Sequence, residues 1–402
     1  MIKKLAILVI ISISLLIAIA GTVAVRFWVP LQGDLVPKNI SQGIAIPQKG
    51  LARLQADLSR SISAAPVRVM NQSGLAGAMG GAHVRLFSGD SHEVLLPIPQ
   101  LADGQVPICY FISSTPPDAI TEFRIRKRED CNAVASVRLA GNNKDVQIAW
   151  SSVVLLASRN ITPNSTAADP YRTATSCVQS HAAEITKLGL DTWPTTGGTT
   201  EFATNIQRYI REMTRKEQPR SLDAVGILQS GASGICTANA NLASALMRSK
   251  GFACRTIAVI PPISQRLEMH RIVEFSDGGR WIPFDPSSLQ VAIPTKPWHY
   301  IVMAKTTPLD EQMAMKPRMG SMLGCPYGQE IEMLSAGVSP CGQDFFWTVA
   351  KPLAEFEPTD EAIRLATAAW NHYLETGTLT QGQLNGGSAK TAARLVECMR
   401  IK

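Results

Sequence analysis

Charge is scarce in this 402-residue chain: Asp, Glu, Lys and Arg make up 18% of it, against 45% hydrophobic residues. That balance excludes a wholly disordered polypeptide, which cannot bury enough apolar surface to offset chain entropy. Aromatic residues are few, at 6%, and are not interleaved with the basic ones, and the formal charge of +7 is not gathered into a long run. The stacking platforms and cationic stripe of a nucleic-acid binder are therefore missing, and no nucleic-acid partner is expected. There is no internal repeat and no Pro-rich or Gln-rich tract, so a fibrous or low-complexity architecture is excluded. No CxxC occurs and no Cys/His cluster has zinc spacing, so no metal and no other cofactor is expected. What remains is apolar mass enough for two or three compact domains.

The amino terminus sets the expected compartment. After Lys3 and Lys4 runs an uncharged apolar stretch, Leu5 to Val25, which as a helix would cross a hydrocarbon core of roughly 30 Å. Residues 1–27 are thus expected to be a single-pass anchor, with Lys3 and Lys4 cytoplasmic and the bulk of the chain extracytoplasmic, periplasmic or at the cell surface. Ala18-Ile19-Ala20 before Gly21 meets the small-x-small rule, so cleavage to a secreted form is the alternative. Export permits disulfides among the eight cysteines, and proximity in sequence suggests Cys109 with Cys131 and Cys325 with Cys341.

Residues 28–65 are punctuated by Pro and Gly and read as a stalk. From 66 to 160 short apolar runs such as Ile108 to Ile112 and Val146 to Trp150 alternate with turn clusters, the pattern of an antiparallel β-sandwich-like domain. Between 161 and 305 the period lengthens, with amphipathic stretches Thr175 to Leu188 and Glu201 to Met213. Residues 306–402 form a helical and loop extension, in which Thr359 is placed to cap a helix running to Gly377. Its position suggests a cap over a cleft.

The chemistry concentrates after Gly226. Small residues, Ser230 to Gly234, lead into Ile235-Cys236, and Ala238, Leu242, Ala245 and Leu246 then recur at helical spacing. Cys236 is therefore expected on a first helical turn, where free amides and the helix dipole lower a thiol pKa. Strand-like runs, Glu268 to Phe275 and Arg280 to Asp285, flank the turn Ser276-Asp277-Gly278-Gly279. Pairing Phe275 with Arg280 would set His270 opposite Asp285, close enough for a carboxylate to orient an imidazole. A thiol, an imidazole and an orienting carboxylate are the parts of an acyl-transfer site. Gln229, seven residues before the thiol, is a side-chain candidate for an oxyanion donor beside the Cys236 amide.

These segments resemble the core of the transglutaminase-like superfamily, whose fold is related to papain. Its pattern stands here as Gly234-Ile235-Cys236, Gly251-Phe252-Ala253-Cys254-Arg255, His270-Arg271-Ile272-Val273-Glu274 and Gly279-Arg280-Trp281-Ile282-Pro283-Phe284-Asp285-Pro286. Ile272 departs from the usual Trp. The resemblance implies an α+β fold, a papain-like transglutaminase core with the Cys on a helix start and the His and Asp on an antiparallel sheet, here following the β domain and the transmembrane helix. It also implies that Cys236 is the nucleophile, His270 the general acid/base and Asp285 the orienting group. No acidic cluster of the calcium-dependent animal enzymes of the superfamily is present. The expected function is an exported thiol enzyme attacking amide bonds of a protein or peptide substrate through a thioester, as protease, amidase or acyltransferase. Two alternatives stand beside it: a catalytically silent module binding protein or glycan, and a structural module in which Cys236 is bridged to Cys254.

Overall fold

The computed structural model describes residues 70–85, 92–127, 132–140, 145–158, 169–195, 197–213, 221–231, 235–261, 270–288, 293–308, 311 and 342–376. The apolar amino-terminal run, the stalk, Cys131, Cys325, Cys341 and Gly377 lie outside these residues. Among the described residues no helix is long and apolar enough to cross a membrane.

Two antiparallel sheets make the first layer of the fold. One has the order β11-β1-β6-β3 and the other β2-β5-β4, built from β1 (Gly74–Arg85), β2 (His92–Pro97), β3 (Gln105–Thr115), β4 (Ile120–Lys127), β5 (Ala133–Leu139), β6 (Asp145–Leu156) and β11 (Gly342–Glu355). Their apolar residues share one core in which Trp150, Leu96, Ile148 and Leu139 are almost wholly buried. This agrees with the expected β-sandwich-like domain, but its composition differs in one respect. The segment after 306 supplies β11, which pairs along the full length of β1 from Gly74↔Glu355 to Arg85↔Gly342. The described part of that extension therefore completes the β domain instead of capping a cleft. The helix that follows, α5 (Asp360–Thr376), starts where the sequence places it, with Thr359 Oγ1 accepting from the Ala362 amide at 3.2 Å. Its Trp370 is 2% exposed and meets the ring of Tyr110 at 5.7 Å.

β1 carries the run Gly74-Leu-Ala-Gly-Ala-Met-Gly-Gly, glycines that argue against a strand by propensity alone. Close approach of the neighbouring chain explains the first of them: a Cβ on Gly74 would meet the Ala354 carbonyl oxygen at 2.0 Å.

The second sheet region has the order β10-β7-β8-β9, all antiparallel, from β7 (Cys254–Ile260), β8 (His270–Asp277), β9 (Arg280–Phe284) and β10 (Ile301–Lys305). Helices α1 (Ala183–Thr192), α2 (Thr199–Met213), α3 (Ala224–Ser230) and α4 (Cys236–Ser249) cover it. Their apolar faces join Cys254, Val273, Phe275 and Phe284 of the sheet in one core. α4 is buried along twelve of its fourteen residues, which its Ala and Ser content permits by letting neighbours pack close.

The hairpin differs from the register expected from sequence. Asp277 pairs with Arg280 and Phe275 with Ile282, so the turn is the two-residue Gly278-Gly279, with φ values of 57° and 77°. Two successive positive φ values define the tight turn whose twist suits a hairpin, and glycine takes them without strain. The strand is thus shifted by two residues from the expected pairing. A two-residue shift preserves the alternation of faces, so His270 and Asp285 still meet, diagonally instead of directly.

The β domain and the helical core are joined by side-chain amides. β10 is an edge strand, and its exposed backbone groups are taken up by Gln105, which donates to Val302 O at 3.0 Å and accepts from Val302 N at 2.8 Å. Asn132 does the same with Lys305, at 2.8 Å in both directions. Buried Gln100 bridges Ala133 and Met303. These bonds satisfy an otherwise open sheet edge, and the apolar core of the β domain runs on into Ala258, Ile260, Ile301 and Met303.

Candidate active site

α3 and α4 prepare the position of the thiol. Asp223 caps α3 by accepting from the Gly226 amide at 2.8 Å, and Gly231 closes it with a bond to Ile227 O. α4 then begins at Cys236 with Ile235 as N-cap, and no side chain caps that end. The first-turn amides of α4 are therefore left for whatever lies in front of them, and an anion suits them best.

Asp285 follows β9 and is 5% exposed. Its Oδ2 receives His270 Nε2 and Tyr300 Oη, each at 2.8 Å, and its Oδ1 receives the Ser287 amide at 2.8 Å. With Nε2 so held, the imidazole has Nδ1 for its hydrogen bond with the Cys236 thiol. The ring of Tyr300 lies stacked beside that of His270, 6.0 Å between centroids and 29° between planes. Ile272, in place of the motif tryptophan, is buried with Ile257, Val259 and Val302 in a small cluster against which Tyr300 packs, so the substitution supports the tyrosine beside the histidine.

The electrostatics distinguish Cys236 from its neighbours. Burial raises the Cys236 thiol, but the hydrogen bond and charge of His270 and the backbone amide and charge of Arg271 outweigh it and hold the thiol below its ordinary value. Burial lowers His270, yet the bonds to Asp285 and Cys236 push the imidazole up to about 10. Tyr300 is raised by burial and by the adjacent Asp285 charge, so it stays a hydroxyl donor. Cys177 and Cys254 go the other way: burial pushes them to about 11 and about 12. All three are free thiols, which corrects the alternative of a Cys236–Cys254 bridge. Cys254 instead lies 3.6 Å from Ser244 Oγ of α4.

Gln229 is not brought to this group. It sits on the exposed side of α3, and its amide donates to the exposed Glu184 carboxylate of α1 at 3.3 Å. Three residues escaped the sequence reading. Tyr300 was hidden because it reaches Asp285 from beyond β9 across the sheet. Gln207 of α2 donates from Nε2 to Asp285 O at 2.8 Å, and Asn239, one turn after Cys236, donates to Ser287 Oγ at 2.9 Å. Both tie the Asp285 turn to the helices, and neither has a sequence spacing that signals it.

The remaining motif residues are structural. Arg255 pairs with Glu274 at 2.9 Å, and its guanidinium lies over the Trp281 ring, 3.9 Å from the centroid. Thus the Glu of one motif segment and the Trp of another are held together through the Arg of a third. Among the described residues no three His, Cys, Asp or Glu side chains converge as metal ligands.

Residues 189–286 match the family model described as transglutaminase-like superfamily. A solved structure titled "The Crystal Structure of a Putative Cysteine Protease from Cytophaga hutchinsonii" is similar at 14% identity and a TM-score of 0.49, covering 72% of this chain and 94% of that one. No curated protein matches the sequence. The matched stretch, 189–286, includes Cys236, His270 and Asp285.

Proposed function

We propose that the protein is a thiol enzyme acting on amide bonds of proteins or peptides, with Cys236 as nucleophile, His270 as general acid/base and Asp285 as orienting group. The observation that carries this reading is the opposed perturbation of the pair, a depressed thiol beside an imidazole raised to about 10. Each shift favours the charged form of its group, so the pair is biased toward thiolate and imidazolium.

The Cys236 thiolate adds to the amide carbonyl carbon, and the carbonyl electron pair moves to oxygen. The Cys236 amide and the uncapped first turn of α4 face that oxyanion. As the C–N bond breaks, His270 delivers its proton to the departing amine and a thioester remains. The now neutral imidazole takes a proton from water or from a second amine, which attacks the thioester carbonyl. The C–S bond then breaks and the thiolate is regenerated. Asp285 keeps Nε2 engaged throughout, so the ring does not swing between steps. Hydrolysis and transamidation differ in the acceptor alone. The apolar run from Leu5 to Val25 supports a membrane-anchored, extracytoplasmic enzyme whose substrates are proteins or peptides outside the cytoplasm.

The test is the pH dependence of Cys236 alkylation by iodoacetamide in the detergent-solubilised full chain, localised by peptide mass spectrometry. Native protein is expected to react well below the ordinary thiol midpoint of about 8.5, and His270→Ala to lose most of that reactivity at pH 7. A native midpoint at the ordinary value would overturn the proposal.

A further inference from the structure

The oxygen that orients His270 is shared. Asp285 Oδ2 accepts from His270 Nε2 and from Tyr300 Oη, each at 2.8 Å, while Oδ1 takes the Ser287 amide. A carboxylate oxygen has lone pairs enough for two donors, but each hydrogen bond that stabilises the anion reduces its pull on other protons. The Tyr300 contact is fixed by its surroundings. The ring packs against the buried cluster of Ile257, Val259, Ile272 and Val302 and stacks on His270 with 29° between planes. Further along the chain, Val302 is clamped through both its backbone N–H and its C=O by Gln105 of β3. The β domain thus fixes the strand from which the tyrosine projects.

The charged and titratable groups around the pair come from several elements. α4 brings Cys236 to His270, Arg271 follows His270 in β8, and α2 brings the neutral amide of Gln207 to the Asp285 carbonyl. Next to Tyr300, His299 is held below its ordinary value by burial and by Lys296, so it is neutral where His270 loses its proton. Tyr300 is kept protonated there by burial and by Asp285. Its hydroxyl is a standing donor across that range.

We infer that Tyr300 is a positioning residue that competes with His270 for Asp285 Oδ2, so that the carboxylate orients the imidazolium without holding it too tightly to act as an acid. The inference rests on the proposed roles of Cys236, His270 and Asp285. Its consequence falls on one step. When the tetrahedral intermediate collapses, the C–N electron pair goes to nitrogen, which takes the Nδ1 proton of His270, and Asp285 is left beside a neutral ring. An imidazolium held by an unshared carboxylate gives up that proton less readily, and acid catalysis weakens with the acid. Thiolate attack takes no proton from His270 and does not depend on the sharing.

The test compares two esters in the full chain, native and Tyr300→Phe, by the rate of Cys236 acetylation. p-Nitrophenyl acetate releases a weakly basic phenolate that departs without a proton. Phenyl acetate releases one as basic as an ordinary tyrosinate, which departs in preference to the thiolate only if His270 protonates it. Tyr300→Phe is expected to raise the high-pH limb of the phenyl acetate profile by about one unit, the worth of a hydrogen bond to a charged group. It is also expected to slow acetylation by phenyl acetate ~3–10-fold more than acetylation by p-nitrophenyl acetate. Equal slowing of both esters, or a limb left in place, would overturn the inference and spare the nucleophile. Biosynthetic replacement of the tyrosines by 3-fluorotyrosine, a stronger donor, is the opposite perturbation, and it decides if Tyr300→Phe fails to fold by circular dichroism. The limb is then expected to fall, and a limb that rises or stays overturns the inference. A native chain in which neither ester acetylates Cys236 overturns both readings.

Discussion

Replacing Asp285 by Asn removes one charge while keeping the side-chain shape. The rise of His270 from 6.5 to about 10 corresponds to ~5 kcal/mol in favour of the imidazolium. That gain is net of burial and comes from Asp285 and Cys236, with the Asp285 hydrogen bond the larger contribution. Assigning about half of it to the carboxylate gives ~2.5 kcal/mol, so the imidazolium is expected to titrate ~2 pH units lower in Asp285→Asn. Geometry adds a second cost. All three contacts of the Asp285 carboxylate are donors, His270, Tyr300 and Ser287, and an amide can present its oxygen to one side only. Its NH2 group must therefore face a donor, at ~1–3 kcal/mol. Acyl transfer from a p-nitrophenyl ester, followed from pH 5 to 10.5, reads both effects. The expected result is a rate at the optimum lower by ~10²–10⁴ and a high-pH limb moved about two units toward neutrality. A variant with the native high-pH limb would refute the assignment of Asp285 as the group that holds the imidazolium.

Other outcomes follow from the same geometry. Tyr300→Phe keeps the ring beside His270 and deletes one donor to Asp285 Oδ2, so Asp285 grips the imidazolium more strongly; the high-pH limb of the rate profile should move up, and a downward move would contradict this. At pH 8 in native protein, mass spectrometry should find Cys236 alkylated and Cys177 and Cys254 unmodified, since burial holds those two near 11 and 12; equal labelling of the three would count against the site electrostatics. Glu311→Ala strands a buried Arg248 guanidinium whose side chain is fully enclosed, for which a loss of ~3–5 kcal/mol in chemical denaturation is expected; a loss below ~1 kcal/mol would mean the pair is not buried in solution. Because His270 holds its proton more tightly folded than unfolded, its imidazolium stabilises the fold fully below about pH 6.5 and ceases to do so as pH rises through about 10. The stability difference between native and His270→Ala should shrink over that range, and a difference that grows would refute the sign.

Much of the site was legible because it is local. Cys236 sits at a helix start marked by small residues before it and apolar spacing after it, and β8 and β9 are joined by a short turn marked by adjacent glycines. The exact turn was not legible, since Asp-Gly-Gly is compatible with two loop lengths; the outcome survived because a two-residue shift conserves the face of every side chain. Tyr300, Gln207 and Asn239 could not be read, because each reaches Asp285 or its turn from an element that chain order does not place beside it. The fold followed the same division. The helix beginning at Thr359 carried its own cap and apolar stripe, whereas the return of β11 to β1 depends on a partner more than 250 positions away. Gly74, the first of the β1 glycines that lower strand propensity, is explained by how closely β11 approaches.

The central claim, that Cys236 forms a covalent acyl intermediate with the aid of His270, is tested most directly by mixing the full-length protein with p-nitrophenyl acetate, quenching in acid at successive times and mapping the acetyl group by peptide mass spectrometry. The account predicts a burst of one p-nitrophenol per chain, an acetyl group on Cys236 that hydroxylamine removes, and loss of the burst in Cys236→Ala and its strong slowing in His270→Ala. Absence of a burst, or acetylation spread over lysines with Cys236 untouched, would contradict it.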